Sequence, residues 1–255
     1  MRYITPEHCL RKRLGDRPAP DWAAALLVFR DHPSSLKVVE AFDGARPVTA
    51  KLLYNISDPP HGPFVHQAEI GGRKVVIVPW CVWGGPQTAI LVEELACLGV
   101  KLILGYGIAG SIDPALPQGE FVVAESALPV DGTSRAYGGA ARQPADAGLL
   151  GAAVAAGAEA GCEMKPVVAV TVDALYRETE QFVEALRRQG GQIVNMETST
   201  LYTVAAACGV RAVWLGYVSD CLAAGQWHDW YADLGDLHEK GVGICRRALE
   251  AVLAG

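Results

Sequence analysis

The stretch from Val194 to Asp220, VNMETSTLYTVAAACGVRAVWLGYVSD, constrains the fold more than any other part of this 255-residue chain. Its middle, Thr198 to Cys208, places Leu201, Val204, Ala205 and Cys208 at i, i+3, i+4 and i+7, the spacing of one helix face. Gly209 is a stop signal for that helix. Val213, Trp214, Leu215, Tyr217 and Val218 then read as a buried strand that runs out at Ser219 and Asp220. Glu197 therefore stands where a strand or loop enters a helix, and Asp220 where the next strand ends. In an open α/β sheet, ligands bind outside the carboxyl ends of the strands. A carboxylate flanked by apolar residues is costly unless it is paired or hydrogen-bonded, and its pKa is readily moved. Taken singly, each also fits a plainer role: Glu197 as a helix N-terminal charge, Asp220 as a turn residue.

The rest of the chain repeats the alternation. Ala24 to Phe29 is a short apolar run and reads as a first buried strand, followed by a helix over Ser34 to Phe42 and a short strand over Lys51 to Ile56. Phe64 to Ile70 and Lys74 to Pro79, joined around Gly71-Gly72, read as a β-hairpin. Gly84-Gly85-Pro86 makes a turn in which Pro86 suits the first turn of a helix over Gln87 to Leu98. Lys101 to Leu104 reads as a strand entering a glycine-rich turn, Gly105 to Gly110, and Glu120 to Glu125 as another strand. Helices over Ala145 to Gly161, Thr179 to Gln189 and Asp236 to Leu253, with a strand over Val167 to Val172, complete the pattern. Strands alternating with helices give an α/β fold. The hairpin makes the sheet mixed. No linker divides the chain, so one domain over residues 1–255 is expected.

Composition removes several function classes. The net charge is −6, and the only basic run is Arg11-Lys12-Arg13. That is no footprint for nucleic acid. Apolar stretches are broken by charge or Gly well short of a membrane span, and the first thirteen residues lack the apolar core of a signal peptide. The seven cysteines are odd in number and widely spaced, with no CxxC. This points to a reducing cytoplasm, without a disulfide framework or a metal site. The turn Gly105 to Gly110 lacks the Lys-Ser/Thr of a P-loop. No clear helix follows it, as a dinucleotide-binding reading requires.

Met196-Glu197 opening a helix and Ser219-Asp220 ending the next strand resemble the signature of the nucleoside phosphorylase/nucleosidase family, which holds purine nucleoside phosphorylases, uridine phosphorylases and methylthioadenosine nucleosidases. The run GYGIAGSIDPALPQGEFVVAESAL, Gly105 to Leu128, is similar to that family's glycine-rich strand end, and Thr171 to Thr179 to the segment that covers the base. Trp83-Gly84-Gly85-Pro86-Gln87 resembles its turn before a helix, and His8 its N-terminal histidine. The resemblance implies a three-layer sandwich around a mixed, mostly parallel β-sheet, a homo-oligomer (dimer or hexamer), and no cofactor or metal. It implies that Glu197 grips the ribose hydroxyls. Asp220, oriented by Ser219, would act on a departing purine as general acid. Met196, Asn195, Gly107, Trp83, Leu175 and Tyr176 would line the nucleoside. His8 would reach a neighbouring subunit's sugar 5′-hydroxyl.

The phosphate ligands depart from the family pattern. A Gly-Asp-Pro turn is replaced by Arg30-Asp31-His32-Pro33, and in the second turn Gly105 stands for an Arg and Ile108 for a Ser or Thr. A dianion needs charge-assisted donors, and the Ile108 side chain offers none. Arg30 and His32 could form a substitute site. The expected reaction is cleavage of a nucleoside N-glycosidic bond, purine favoured, by phosphorolysis to free base and pentose 1-phosphate. The alternatives are hydrolysis, with Asp31 as the base that activates water, and a non-catalytic nucleoside-binding protein on the same fold.

Overall fold

A computed structural model describes residues 2–29, 37–48, 52–53, 65–139, 141–222, 227–229 and 236–254. Arg30, Asp31 and His32 lie outside the described residues, as do Trp230, Tyr231 and all but Leu52 and Leu53 of the expected strand Lys51 to Ile56.

The chain opens with helix α1 (Pro6–Leu14), capped by Thr5, whose hydroxyl accepts from the His8 N–H. Strand β1 (Trp22–Phe29) follows, then a one-turn helix α2 (Lys37–Glu40) and a two-residue strand β2 (Arg46–Pro47). The hairpin forms as β3 (His66–Ile70) and β4 (Arg73–Val78). Helix α3 (Gly85–Cys97) has Pro86 in its first turn. Strands β5 (Leu102–Ser111) and β6 (Phe121–Pro129), short helix α4 (Gly132–Ala136), strand β7 (Gln143–Pro144) and helix α5 (Ala147–Glu159) come next. The last part comprises β8 (Lys165–Thr171), a 3₁₀ turn (Leu175–Arg177), α6 (Glu180–Arg188), β9 (Ile193–Asn195), α7 (Thr198–Cys208), β10 (Arg211–Cys221) and α8 (Leu237–Ala254). Gly209 ends α7 in the left-handed conformation, φ 66°, where a side chain would be strained.

The strands form one mixed sheet in the order β10-β6-β8-β9-β5-β1-β4-β3-β2. The long ladders, β10 with β5, β6 with β8 and β1 with both β4 and β5, are parallel; β10 with β6, β5 with β9 and the hairpin are antiparallel. Because β10 also pairs with β5, the strands β10, β6, β8, β9 and β5 close into a ring. This closure is what the alternation of elements did not foretell, since pairing between distant strands leaves no trace in local periodicity.

Side chains of β1 alternate between two cores. Ala25, Leu27 and Phe29 join a cluster with Leu91 and Leu95 of α3 and Leu201 and Val204 of α7. Ala24, Leu26 and Val28 join another with Leu149 of α5 and Val242, Ile244 and Leu249 of α8. A smaller third cluster holds Ile112, Val170, Val183, Leu186 and Val194. Among the described residues no helix is long and apolar enough to cross a membrane.

One expectation fails locally. Gly105 to Gly110 is no turn: β5 runs unbroken through it. The glycines are there because β10 and its neighbours press against this strand. A Cβ on Gly105 would sit 2.9 Å from Leu201 Cδ2 and 3.0 Å from Trp214 Cδ1. A Cβ on Gly216 of β10 would fall on the Gly107 carbonyl oxygen, far inside van der Waals contact and against backbone that cannot swing away. Gly216→Ala is accordingly expected to cost about 3 kcal/mol, the upper end of the usual overpacking range, read as a lowered thermal midpoint. A midpoint equal to that of wild type would show that the strands separate without cost.

Candidate active site

At the carboxyl ends of β1, β5 and β10 lies a cavity of about 390 Å³, within the range for small-molecule sites. Its walls come from the end of β1 (Phe29), the loop before α3 (Trp83), β5 (Ile108, Ala109 and Gly110), the 3₁₀ turn and the residue after it (Leu175, Tyr176 and Glu178), the β9–α7 junction (Val194 to Glu197) and the end of β10 (Tyr217, Ser219 and Asp220).

The β9–α7 junction is held from below. Asn195 accepts at Oδ1 from the Thr198 N–H (3.3 Å) and the Glu197 N–H (3.4 Å), and its Nδ2 donates to Thr198 Oγ1 at 2.6 Å. Its amide is thus committed to starting α7, the task usually given to an N-cap side chain. Under the same helix end, the fully buried Asp131 accepts from the Ser134 N–H (2.7 Å) and the hydroxyls of Ser199 and Thr200 (2.8 Å to the latter). This explains why the first turn of a buried helix reads Thr-Ser-Thr: each hydroxyl there has a partner.

The result is a fixed position for Glu197, which is 4 % exposed. Its Oε2 accepts from the Met196 N–H at 3.1 Å. Burial pushes its carboxyl up to about 7, against the pull of the Met196 and Gly84 backbone N–H groups.

Across the cavity, β10 carries a register shift against β5 between Val218 and Asp220, which leaves Ser219 as the extra residue. Bulges re-aim side chains. Here Ser219 donates to Asp220 Oδ1 at 2.6 Å and also reaches the Ala109 carbonyl oxygen at 3.3 Å. Trp227 Nε1 donates to Asp220 Oδ2 at 3.0 Å. Both oxygens of Asp220 therefore accept hydrogen bonds, which fix the orientation of the carboxyl.

Trp227 lies in the aromatic cluster Trp227 to Tyr231, which as a sequence reads as a lid or an interface patch. His228 pairs back onto Cys221 through both backbone bonds, and Gln118 Nε2 ties the Asp229 carbonyl (2.8 Å) to that of Ser219 (2.6 Å). Half-exposed Trp227 is thus fastened beside Asp220. A nucleoside that displaces its indole is expected to change tryptophan emission, and Trp227→Phe is expected to remove most of that change. Trp83 also borders the cavity, so Trp83→Phe is the control. A full signal in Trp227→Phe would place this ring away from the ligand.

The structure brings Trp83, Ile108, Leu175, Tyr176, Asn195, Met196, Glu197, Ser219 and Asp220 to one cavity. Tyr176 is 94 % exposed and stands at the mouth. It does not bring Gly105 and Gly107 to the lining: both are buried in β5 under Phe29, Leu201 and Trp214. His8 is exposed on α1, which packs on α3, and it is not on the lining either.

Glu178 is the group that sequence reasoning passes over. It lines the cavity, and its carboxyl makes no hydrogen bond or ion pair among the described residues. Burial, then the charge of Asp220, raise that carboxyl to about 7. A signal was available: Thr179 already caps α6 by accepting from the Phe182 N–H at 3.3 Å, so Glu178 has no capping duty. Among the described residues no Lys, Arg or His lines the cavity.

The family model of the phosphorylase superfamily matches residues 44–254. The chain belongs to that superfamily. Similar proteins include an uncharacterized protein of Acanthamoeba polyphaga mimivirus, 30% identical over 234 residues (92% of this chain and 88% of that one). A uridine phosphorylase of Haemophilus influenzae is 30% identical over 208 residues, covering 72% of this chain and 79% of its own. A guanosine phosphorylase of Halorubrum lacusprofundi is 31% identical over 172 residues, covering 67% and 70%. As a member of the superfamily the chain is an enzyme of the nucleoside phosphorylase type, which sets the non-catalytic reading aside.

Proposed function

We propose that this enzyme cleaves the N-glycosidic bond of a purine nucleoside by phosphorolysis, releasing the base and a pentose 1-phosphate. The observation that carries the reading is the pair of carboxylates on opposite walls of one cavity, Glu197 on the β9–α7 junction and Asp220 at the end of β10. Bond breaking leaves positive character on the sugar and negative charge on the base. Glu197, once ionised, accepts from the sugar hydroxyls and fixes the ring. The Ser219–Asp220 corner meets the base, and the acid that neutralises it belongs there. Met196, Leu175, Tyr176 and Trp83 supply apolar walls around the nucleoside. Asn195 acts indirectly, through the start of α7. The relatives are named for uridine and for guanosine, and the carboxylate corner at the base favours a purine, whose ring nitrogens can take a proton as it departs.

A specific observation keeps hydrolysis as the second reading: Ile108 lines the cavity where a hydroxyl donor would serve phosphate, and no cation joins it among the described residues. In the phosphorolytic reading Arg30 and His32 hold the phosphate; in the hydrolytic one Asp31 activates water. Product identity decides. Pentose 1-phosphate that scales with added phosphate is the expected result, and free ribose at a rate indifferent to phosphate would replace phosphorolysis by hydrolysis.

The reading also takes the chain as a single domain, three layers around a mostly parallel sheet, acting in the cytoplasm as a homo-oligomer. Exposed Val82, Trp83 and Ile90 support the last point. Light scattering on the purified enzyme tests it. On that reading His8 completes a neighbour's sugar site.

A further inference from the structure

The corner between β6 and α4, Asp131-Gly132-Thr133-Ser134, lines no part of the cavity, yet it touches elements that do. Asp131 is fully buried. It accepts from the Ser134 N–H at 2.7 Å, from the Thr200 hydroxyl at 2.8 Å and from the Ser199 hydroxyl. Ser134 Oγ in turn lies 2.9 Å from Ser199 Oγ and 3.3 Å from Thr200 Oγ1. Gly132 donates its N–H to Asp173 Oδ2 at 2.8 Å, on the segment that leads to Leu175 and Tyr176. The start of α3 rests on the same corner: a Cβ on Gly85 would sit 2.6 Å from Thr200 Oγ1 and 2.8 Å from Thr133 Oγ1. The N–H of the neighbouring Gly84 reaches Glu197. Glu197 itself is the N-cap residue of α7, but its side chain makes no capping bond. The orphan N–H groups of a first helical turn need partners, and others supply them here: Asn195 Oδ1 for Thr198, and Thr171 Oγ1 for Ser199 at 2.8 Å. The Glu197 carboxyl is left for the cavity, and its place is set by whatever holds the helix start.

We propose that Asp131 is a positioning residue for the sugar: by holding Ser199 and Thr200 it fixes the first turn of α7, and so keeps the Glu197 carboxyl within reach of the ribose hydroxyls. This rests on the nucleoside-cleaving reading above and deepens it. Asp131 touches no substrate. A buried carboxyl is tolerated only when its oxygens find donors. Here two of the donors are hydroxyls of the same turn that follows Glu197. Satisfying Asp131 therefore dictates where that turn lies. Serine and threonine hydroxyls otherwise compete for backbone groups and loosen a helix. Giving them a fixed partner removes that competition at the point where the chain passes from Glu197 into α7. The grip on a sugar is sensitive to small shifts, since a misplacement of about 1 Å can cost roughly 10²-fold.

The test compares kcat/KM for a ribonucleoside and for its 2′,3′-dideoxy counterpart in wild type, Glu197→Gln, Asp131→Ala and Thr200→Val, with a thermal melt of each. Glu197→Gln sets the pattern of a failed sugar grip: a loss on the ribonucleoside and none on the dideoxynucleoside. Asp131→Ala should show the same pattern, with roughly 10²-fold lost on the ribonucleoside alone. Added to Glu197→Gln it should cost the ribonucleoside no more, because both changes remove one interaction. Thr200→Val deletes one donor to Asp131 and keeps the side chain's shape. It should give the same selective loss at roughly tenfold, and it decides the matter where Asp131→Ala does not fold. Equal losses on the two substrates in a folded variant, or no loss at all, would make the corner a brace for the fold only, overturning the inference while nucleoside cleavage stands. A Glu197→Gln that loses equally on both substrates takes the sugar away from Glu197, and the inference falls with it. A wild type that cleaves no nucleoside overturns the function and this inference together.

Discussion

Asp220→Asn is expected to lower kcat/KM for purine nucleosides by roughly 10²–10⁴, the range for breaking an acid–base arrangement, with little loss of stability. The side chain keeps its shape. What changes is the charge and the pattern of acceptors. Ser219 can turn its hydroxyl to suit an amide, but the indole N–H of Trp227 cannot. The substituted amide must then keep its oxygen toward Trp227 and offer its NH₂ to Ser219, which is satisfiable, so the fold survives. The site loses the carboxyl at the base, and Glu178, raised by burial and then by the Asp220 charge, loses the second of these causes. Steady-state kinetics with a thermal melt on the same sample separate the two effects. Wild-type turnover in a folded mutant would remove Asp220 from the mechanism.

The parts of this site that can be read from the sequence are those whose cause is local. The helix Thr198 to Cys208 and its stop at Gly209 are legible because periodicity and a left-handed cap are written into consecutive residues. The end of β10 is legible too, since an apolar run that stops at Ser-Asp marks a strand end. The glycines of β5 mislead because their reason lies on other elements: the Trp214 ring and the Leu201 side chain approach from far along the chain. Glycine marks either a free backbone or a crowded one, and sequence alone does not say which. The ring closure between β10 and β5 is invisible on the same ground. Glu178 escapes because its meaning depends on facing Asp220, far away in the chain, and not on any neighbour. Asn195 shows the converse. It stands close to a key residue and lines the cavity, but its amide serves the start of α7.

Glu197 carries the other large expected effect, and its sign depends on pH. To accept from two sugar hydroxyls the carboxyl must be ionised, and each charge-assisted bond is worth about 1.5–3 kcal/mol. Glu197→Gln, which keeps one acceptor oxygen and loses the charge, should therefore lower kcat/KM for ribonucleosides by roughly 10²–10³, while 2′,3′-dideoxynucleosides, having no hydroxyls to grip, should react alike in both proteins. Stability should move the other way. Burial raises the folded-state carboxyl from 4.5 to about 7. A group whose folded pKa lies above its unfolded value favours the native state while protonated. That contribution is complete below about 4.5 and is lost as pH rises through about 7. At about pH 8 wild type thus holds a buried charge that Gln does not, and Glu197→Gln is expected to be the more stable free protein by roughly 1–2 kcal/mol, after allowing for one lost backbone hydrogen bond. Below about pH 4.5 this advantage disappears. Bound sugar hydroxyls favour the ionised form, so nucleoside binding near pH 7 should release protons, seen calorimetrically as an enthalpy that changes with buffer. Carrying out the titration in Glu178→Gln removes the other carboxyl that titrates in this range. A mutant that melts below wild type at about pH 8, or binding that releases no protons, would mean that Glu197 is already ionised and satisfied in the empty site.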